Sequence, residues 1–318
     1  MEYAGLIVKY KVNRLLEGEE EELRLLQSNR IDVKPHYQLS VIELNSIYME
    51  ITDKHYGWKG WLTFSTSIIW LGAFFVILES SWSTFVGEYK FICINHNLLP
   101  AVLLWVLVVV VSIPFIGVTT WLLRKESFRW THYPIRLNRN NRMVYVFRLD
   151  GTVLSVPWKE VFFTLGRGGK SMGIESWDVR GHVLDKDRKT VLETFAFGYV
   201  STSQDTVVAY WEYLRRYMEE GPKEPWELLD YCLPIDQRKE PRILGLQRLW
   251  LEVNGQIFFQ ILLSPIFLMA WIGRQFAMAT CKIPVWPKEV EEACAIEPGD
   301  PYVKDGRTNP PDAGLWFP

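Results

Sequence analysis

The sequence is poor in the residues that small secreted folds and most hydrolases depend on. It has four cysteines and five histidines in 318 residues. Four cysteines in so long a chain do not make a disulfide framework. No C-x-x-C, H-E-x-x-H, G-x-S-x-G or P-loop pattern occurs, so the common zinc, serine-hydrolase and nucleotide signatures are missing. An excess of one charge sign is also lacking, since 35 basic residues face 37 acidic ones. That balance gives no reason to expect nucleic-acid binding. No internal repeat is visible. With 48% hydrophobic and 23% charged residues, the chain is not a disordered one.

What the sequence has in quantity is aromatic: 15 Trp, 14 Tyr and 17 Phe. Such loading suits interfacial belts on a membrane protein, or a large aromatic core. Two long uncharged runs favour the first. Trp61–Leu78 carries no charge, and neither does Leu98–Leu123, which contains LLWVLVVVVSIPFIGV. A helix needs about 20 apolar residues to cross the hydrocarbon core. Together the runs predict a transmembrane helical hairpin over 61–123, with a short external loop that includes Cys93. Pro114 kinks the second span, which membranes tolerate. Arg124, Lys125, Arg129, Arg136, Arg139 and Arg142 follow that span, so its end is expected in the cytoplasm. A third apolar stretch, Val253–Gly273, holds Asn254, Gln256, Gln260, Ser264 and Pro265. Basic residues stand on both sides of it. The favoured reading is an interfacial helix rather than a third crossing, because a crossing would move the tail outside.

The polar parts read as an N-terminal region over 1–60, a β-rich module over 124–221, a charged wrap over 222–252 and a loose tail over 274–318. Leu6–Val12 is β-like, and Glu17–Glu22 opens a short helix. Leu39–Thr52 reads as strand or juxtamembrane helix. Asp150-Gly151 marks a hairpin between VYVFRL and TVLSVPW, and a second pair spans Trp177–Phe197. Gln204–Glu220 has helical apolar spacing, with Ser201 or Ser203 as cap and Gly221-Pro222 as stop. Strands followed by one amphipathic helix give the expected fold class. It is a membrane α+β protein, with a cytoplasmic module of pleckstrin-homology-like architecture and a C-terminal helix.

Chemistry is thinly signalled. Gly166–Lys170 (GRGGK) lacks P-loop spacing and reads as a hairpin tip. His182 reads as packed on a sheet face, and His132 has no second ligand at useful spacing. Cys281 and Cys294 have no nearby His, so no metal site is expected. Asp178, Asp185 and Asp187 read as turn residues rather than acid–base groups. No catalytic residue and no cofactor are expected. Candidate contacts for a partner or for lipid, chosen by charge and expected exposure, are Arg136, Arg139, Arg142, Arg167 and Lys170. The basic run Arg124–Arg142 serves orientation and can also attract anionic headgroups.

Three phrases carry a family resemblance: LSVIELNSIYMEITDKHYGWKGW, THYPIRLNRNNRMVYVFRLDGTVLSVPW with WDVRGHVLDKDRKTVLETFAFG, and KIPVWPKEVEEAC. They resemble a family of uncharacterised bacterial inner-membrane proteins often encoded beside type VI secretion effector genes. The resemblance implies a non-enzymatic protein that binds a protein partner, as an immunity or effector-accessory protein. It supplies no site residues and leaves the oligomeric state open. The alternative is a lipid-sensing or envelope-maintenance role for the β-rich module.

Overall fold

The computed structural model describes residues 6–7, 9–87, 99–169, 175–251 and 257–310. The expected loop position Cys93 and the candidate Lys170 lie outside them. Among the described residues there are ten strands: β1 Arg14–Leu15, β2 Arg24–Leu25, β3 Val41–Leu44, β4 Tyr48–Ile51, β5 Ile135–Asn138, β6 Met143–Phe147, β7 Val153–Pro157, β8 Val161–Arg167, β9 Trp177–Leu184 and β10 Thr190–Ser201. The α-helices are α1 Gly18–Glu22, α2 Trp61–Trp82, α3 Leu99–Glu126, α4 Gln204–Glu219, α5 Lys223–Leu228, α6 Arg242–Leu251, α7 Ile257–Thr280 and α8 Lys288–Ala293. The chain divides into two compact units. A β-rich unit takes residues 1–58, 130–248 and 282–318; a helical unit takes 59–129 and 249–281.

The β-rich unit holds two antiparallel sheets, in the orders β1-β10-β9-β8-β2 and β3-β4-β5-β6-β7. The helical hairpin is therefore an insertion between neighbouring strands. β4 pairs with β5 through Tyr48↔Asn138 and Glu50↔Arg136, although the two strands flank the inserted helices in sequence. Residues 1–58 belong to the same unit as 130–248, and Leu39–Thr52 forms the β3–β4 hairpin. The described residues of Leu6–Val12 form no strand; the pairing begins at Arg14↔Val191. The turn at Asp150-Gly151 joins β6 to β7, and the Asp150 carboxylate accepts the Thr152 amide at 2.9 Å. Gly151 has φ +90°, which explains the glycine there.

One core joins both sheets and α4. Val41, Met49, Ile135, Leu137, Val144 and Val146 meet Phe163, Val179, Phe197, Trp158, Trp211 and Tyr217. Trp158 stacks on Trp211 with ring centroids 5.7 Å apart, and Phe163 packs on both. A second cluster covers the other face of the β4–β5–β6 sheet. Tyr145 and Phe147 of β6 there meet Trp286, Val290 and Cys294 of the tail. Both faces of β6 are thus apolar, which is why its sequence does not alternate. The described part of the tail, expected to be loose, packs on that face through 286–294. Lys304 and Leu44 exchange backbone hydrogen bonds of 2.9 and 2.8 Å.

In the helical unit, three helices among the described residues are long and apolar enough to cross a membrane: Trp61–Val86, Leu99–Glu126 and Ile257–Thr280. The expectation of two is corrected to three. Of the polar residues that argued against the third, Ser264 is satisfied within the helix, its hydroxyl donating to the Ile261 carbonyl at 2.7 Å, while Asn254 and Gln256 lie outside the described residues. The end of α7 returns to the end of the unit where α2 starts. The Arg274 guanidinium near the end of α7 donates to the Lys59 carbonyl at 2.8 Å. The Lys59 ammonium donates to the Glu126 carbonyl at 3.2 Å. The start of α2, the end of α3 and the end of α7 therefore share one end of this unit. Away from that end, the Trp105 indole donates to Ser81 Oγ at 2.8 Å and ties α3 to α2.

At the shared end, Glu126 caps α2 from another helix. The amides of Gly60 and Thr63 donate to its two carboxylate oxygens at 2.9 and 2.7 Å, and the Thr63 hydroxyl adds a bond of 2.5 Å. A carboxylate at a helix N-terminus satisfies donors that would otherwise be orphaned. Gly60 has φ +100°, and a Cβ there would lie 2.5 Å from the Arg274 backbone. Opposite it, a Cβ on Gly273 would lie 2.7 Å from the Gly60 carbonyl oxygen. The two helices meet glycine against glycine, as close membrane packing requires.

Candidate functional site

A cleft of about 350 Å³ opens in the β-rich unit. Its apolar floor comes from Ile135, Val146, Phe147 and Phe195, contributed by β5, β6 and β10. Its polar wall comes from Tyr10, Asp53, Lys54, Arg148 and Glu193. Arg148 Nη2 and Glu193 Oε2 form an ion pair of 2.6 Å across the two sheets. Asp53 is held by the amides of Tyr133 and His55 at 2.8 and 2.9 Å.

Beneath the wall lies a buried charge cluster. Lys54 Nζ donates to Asp178 Oδ2 at 2.7 Å, and Arg180 Nε donates to Asp178 Oδ1 at 2.7 Å. The Lys54 and Asp178 side chains are 2% and 0% exposed, so neither charge can be solvated without the other. Burial alone would raise the Asp178 pKa, but the two cations hold it below the usual carboxylate value. The Tyr10 ring is flanked by Lys54 Nζ at 5.2 Å and the Arg180 guanidinium at 5.4 Å. Burial and Asp178 push the Tyr10 phenol up. Gly166 faces Asp178 across the β8–β9 ladder, and a Cβ there would sit 2.4 Å from the Asp178 carboxylate. The glycine makes room for the cluster.

A second buried network crosses the other sheet. Glu43, Glu50 and Arg136 stand opposite one another on β3, β4 and β5. Arg136 Nε donates to Glu50 at 2.5 Å, and Trp286 Nε1 donates to the same carboxylate oxygen at 3.1 Å. The Tyr48 and Trp286 rings lie 4.6 and 5.0 Å from the guanidinium. Tyr48 Oη donates to Glu43 at 2.7 Å. Burial, helped by Glu50 and Asp236, pushes Glu43 up to about 7. Burial also raises Glu50, against the pull of Arg136.

The candidate contact residues are spread over both sheets. Arg136 is 3% exposed, so the exposure on which it was chosen does not hold; mid-strand pairing with Glu50 draws it inward. Arg139 donates to the Ser46 carbonyl at 3.1 and 3.0 Å, and Arg142 pairs with Glu219 at 2.5 Å. Arg167 is exposed at the end of β8, 2.7 Å from Glu19 and 5.2 Å from the Trp177 ring. Asp178 is corrected from a turn residue to the hub of the buried cluster, while Asp185 and Asp187 do sit in the β9–β10 turn. His182 packs in the sheet, with Nδ1 2.8 Å from Thr194 Oγ1 and Nε2 3.2 Å from Glu20. Among the described residues, no group of three or more His, Cys, Asp or Glu is placed to hold a metal ion. The sequence reading passed over Tyr10, Lys54, Glu43 and Glu50. The two glutamates were visible as single charges inside the apolar strands VIEL and YMEI. Nothing local marked Tyr10 or Lys54.

These features define a protein with membrane-capable helices inserted into an antiparallel β-rich unit. The chain belongs to a family of unknown function, DUF6708, whose model matches residues 111–298. No curated protein and no solved structure matches it.

Proposed function

We propose that this chain is a multi-pass bacterial inner-membrane protein that binds a protein partner without catalysing a reaction. On this reading the β-rich unit is cytoplasmic and of pleckstrin-homology-like architecture. The partner is a type VI secretion effector or a component of its delivery, and the protein is its immunity or accessory factor. The observation that carries partner binding is the cleft between the sheets. Its apolar floor and ion-paired rim suit an anchoring side chain from another protein. The strand order followed by α4 supports the architecture, and the basic end of α3 supports the orientation. The secretion link rests on the three phrases quoted from the sequence.

The test is affinity purification of the detergent-solubilised full chain from its native host. A secreted toxin or spike component should co-purify, and F195E in the cleft floor should release it. Deleting the gene should make cells sensitive to kin that carry the neighbouring effector. Full resistance after deletion, with no secretion component recovered, sinks the reading. Lipid enrichment without a protein partner would favour the lipid-sensing alternative.

A further inference from the structure

The arginines of the β-rich unit are mostly spent on carboxylates: Arg14 on Glu20, Arg136 on Glu50, Arg142 on Glu219, Arg148 on Glu193 and Arg215 on Glu212. The helical unit departs from this habit at the end of α3. Arg124 and Arg129 are exposed, and Lys125 is half-buried. Their contacts are with a backbone carbonyl and a ring. Arg129 Nε reaches the Arg124 carbonyl at 3.4 Å, and Lys125 Nζ lies 4.9 Å from the Trp121 ring. The carboxylate next to them in sequence is not available, because Glu126 is 3% exposed and turned inward to cap α2. Three cations therefore remain without an ion-pair partner among the described residues.

The same place carries exposed aromatic rings. Trp121 is half exposed, and Phe128 lies edge-on to Phe276 at 6.0 Å, both rings open to the surroundings. Together they continue the apolar surface of the spans up to the cations. An apolar belt topped by unpaired positive charge matches one chemistry, an acyl chain ending in an anionic phosphate.

We propose that Arg124, Lys125 and Arg129, with Trp121 and Phe128, form a docking site for the headgroup of an anionic phospholipid. The inference stands apart from the protein partner proposed above. It differs from a general attraction of the basic run, because Arg136, Arg139 and Arg142 are engaged elsewhere and take no part.

The test uses the full chain in a neutral detergent, with native mass spectrometry counting retained phosphatidylglycerol against phosphatidylcholine. Phosphatidylglycerol should be retained preferentially and lost as salt rises. Each of R124Q, K125Q and R129Q should weaken retention roughly five-fold, and the triple variant roughly a hundred-fold. The control is K186Q/R188Q/K189Q, which removes the same charge from the exposed β9–β10 turn and should change nothing. The single variants keep the test open if the triple variant fails to insert. Equal retention by parent and single variants overturns the proposal, as does an equal loss in the control. Displacement by millimolar inorganic phosphate would also overturn it, by showing a site for free phosphate rather than lipid.

Discussion

At the scale of single residues, the β-rich unit depends on charges that water does not reach. Lys54 and Asp178 are each nearly fully buried, so removing Lys54 leaves the Asp178 carboxylate to Arg180, while removing Asp178 takes away the partner both cations share. K54M should cost about 1–3 kcal/mol, because Arg180 still pairs with Asp178, while D178L, which removes the partner of both cations, should cost more, about 3–5 kcal/mol. Thermal unfolding of the full chain in detergent checks both; a K54M protein as stable as the parent would refute the pairing argument. Glu43 makes a prediction about pH. Its folded pKa, about 7, lies above the value of about 4.3 for an unfolded glutamate. The folded state therefore holds a proton that the unfolded chain releases. Stability from this group is present below about pH 4.3 and is lost as pH climbs through about 7. Glu50 acts in the same direction. E43Q should flatten the fall in apparent Tm across that window, and an unchanged slope would remove Glu43 as its source.

At the scale of elements, helices and hairpins were largely legible. The spans from 61 and 98, the turn at Asp150-Gly151 and the helix from Gln204 all follow from local pattern. What escaped the reading came from tertiary pairing. β3 and β4 looked ambiguous because their partner β5 lies beyond the inserted hairpin. Their buried glutamates make sense only beside Arg136. The cleft was illegible for the same reason, since its walls come from five separated stretches of chain. The third membrane-capable helix was underrated because Ser264 was counted without the helix carbonyl that satisfies it. The α2–α7 contact also carries a prediction. G273A places a methyl group against the Gly60 carbonyl, and should cost about 1–3 kcal/mol. G72A, a helical glycine with open space around it, should cost nothing. A lowered melting temperature for the first and not for the second, in detergent, is the expected result.

At the scale of the whole molecule, the connections at 58–59, 129–130 and 281–282 all leave the helical unit where Gly60, Glu126 and Cys281 lie. Cys281 Sγ is 3.3 Å from the Glu126 carbonyl oxygen. Single cysteines placed at Asp187 and Lys288 in a cysteine-free background should therefore react with an impermeant maleimide from the same side of the membrane. Labelling from opposite sides would overturn the gathered-ends topology. Glu126 also imposes a timetable. A ribosome completes α2 before its cap exists, and supplies that cap only when the end of α3 emerges. Arg274 arrives some 150 residues later still. Between those moments the nascent protein holds a hairpin whose first helix is secured and whose glycine surface at Gly60 is bare. The β3–β4 hairpin meanwhile waits for β5. The bundle cannot close until the β-rich unit has been nearly synthesised, so the order of synthesis couples closure of the helical unit to completion of the strands between α3 and α7.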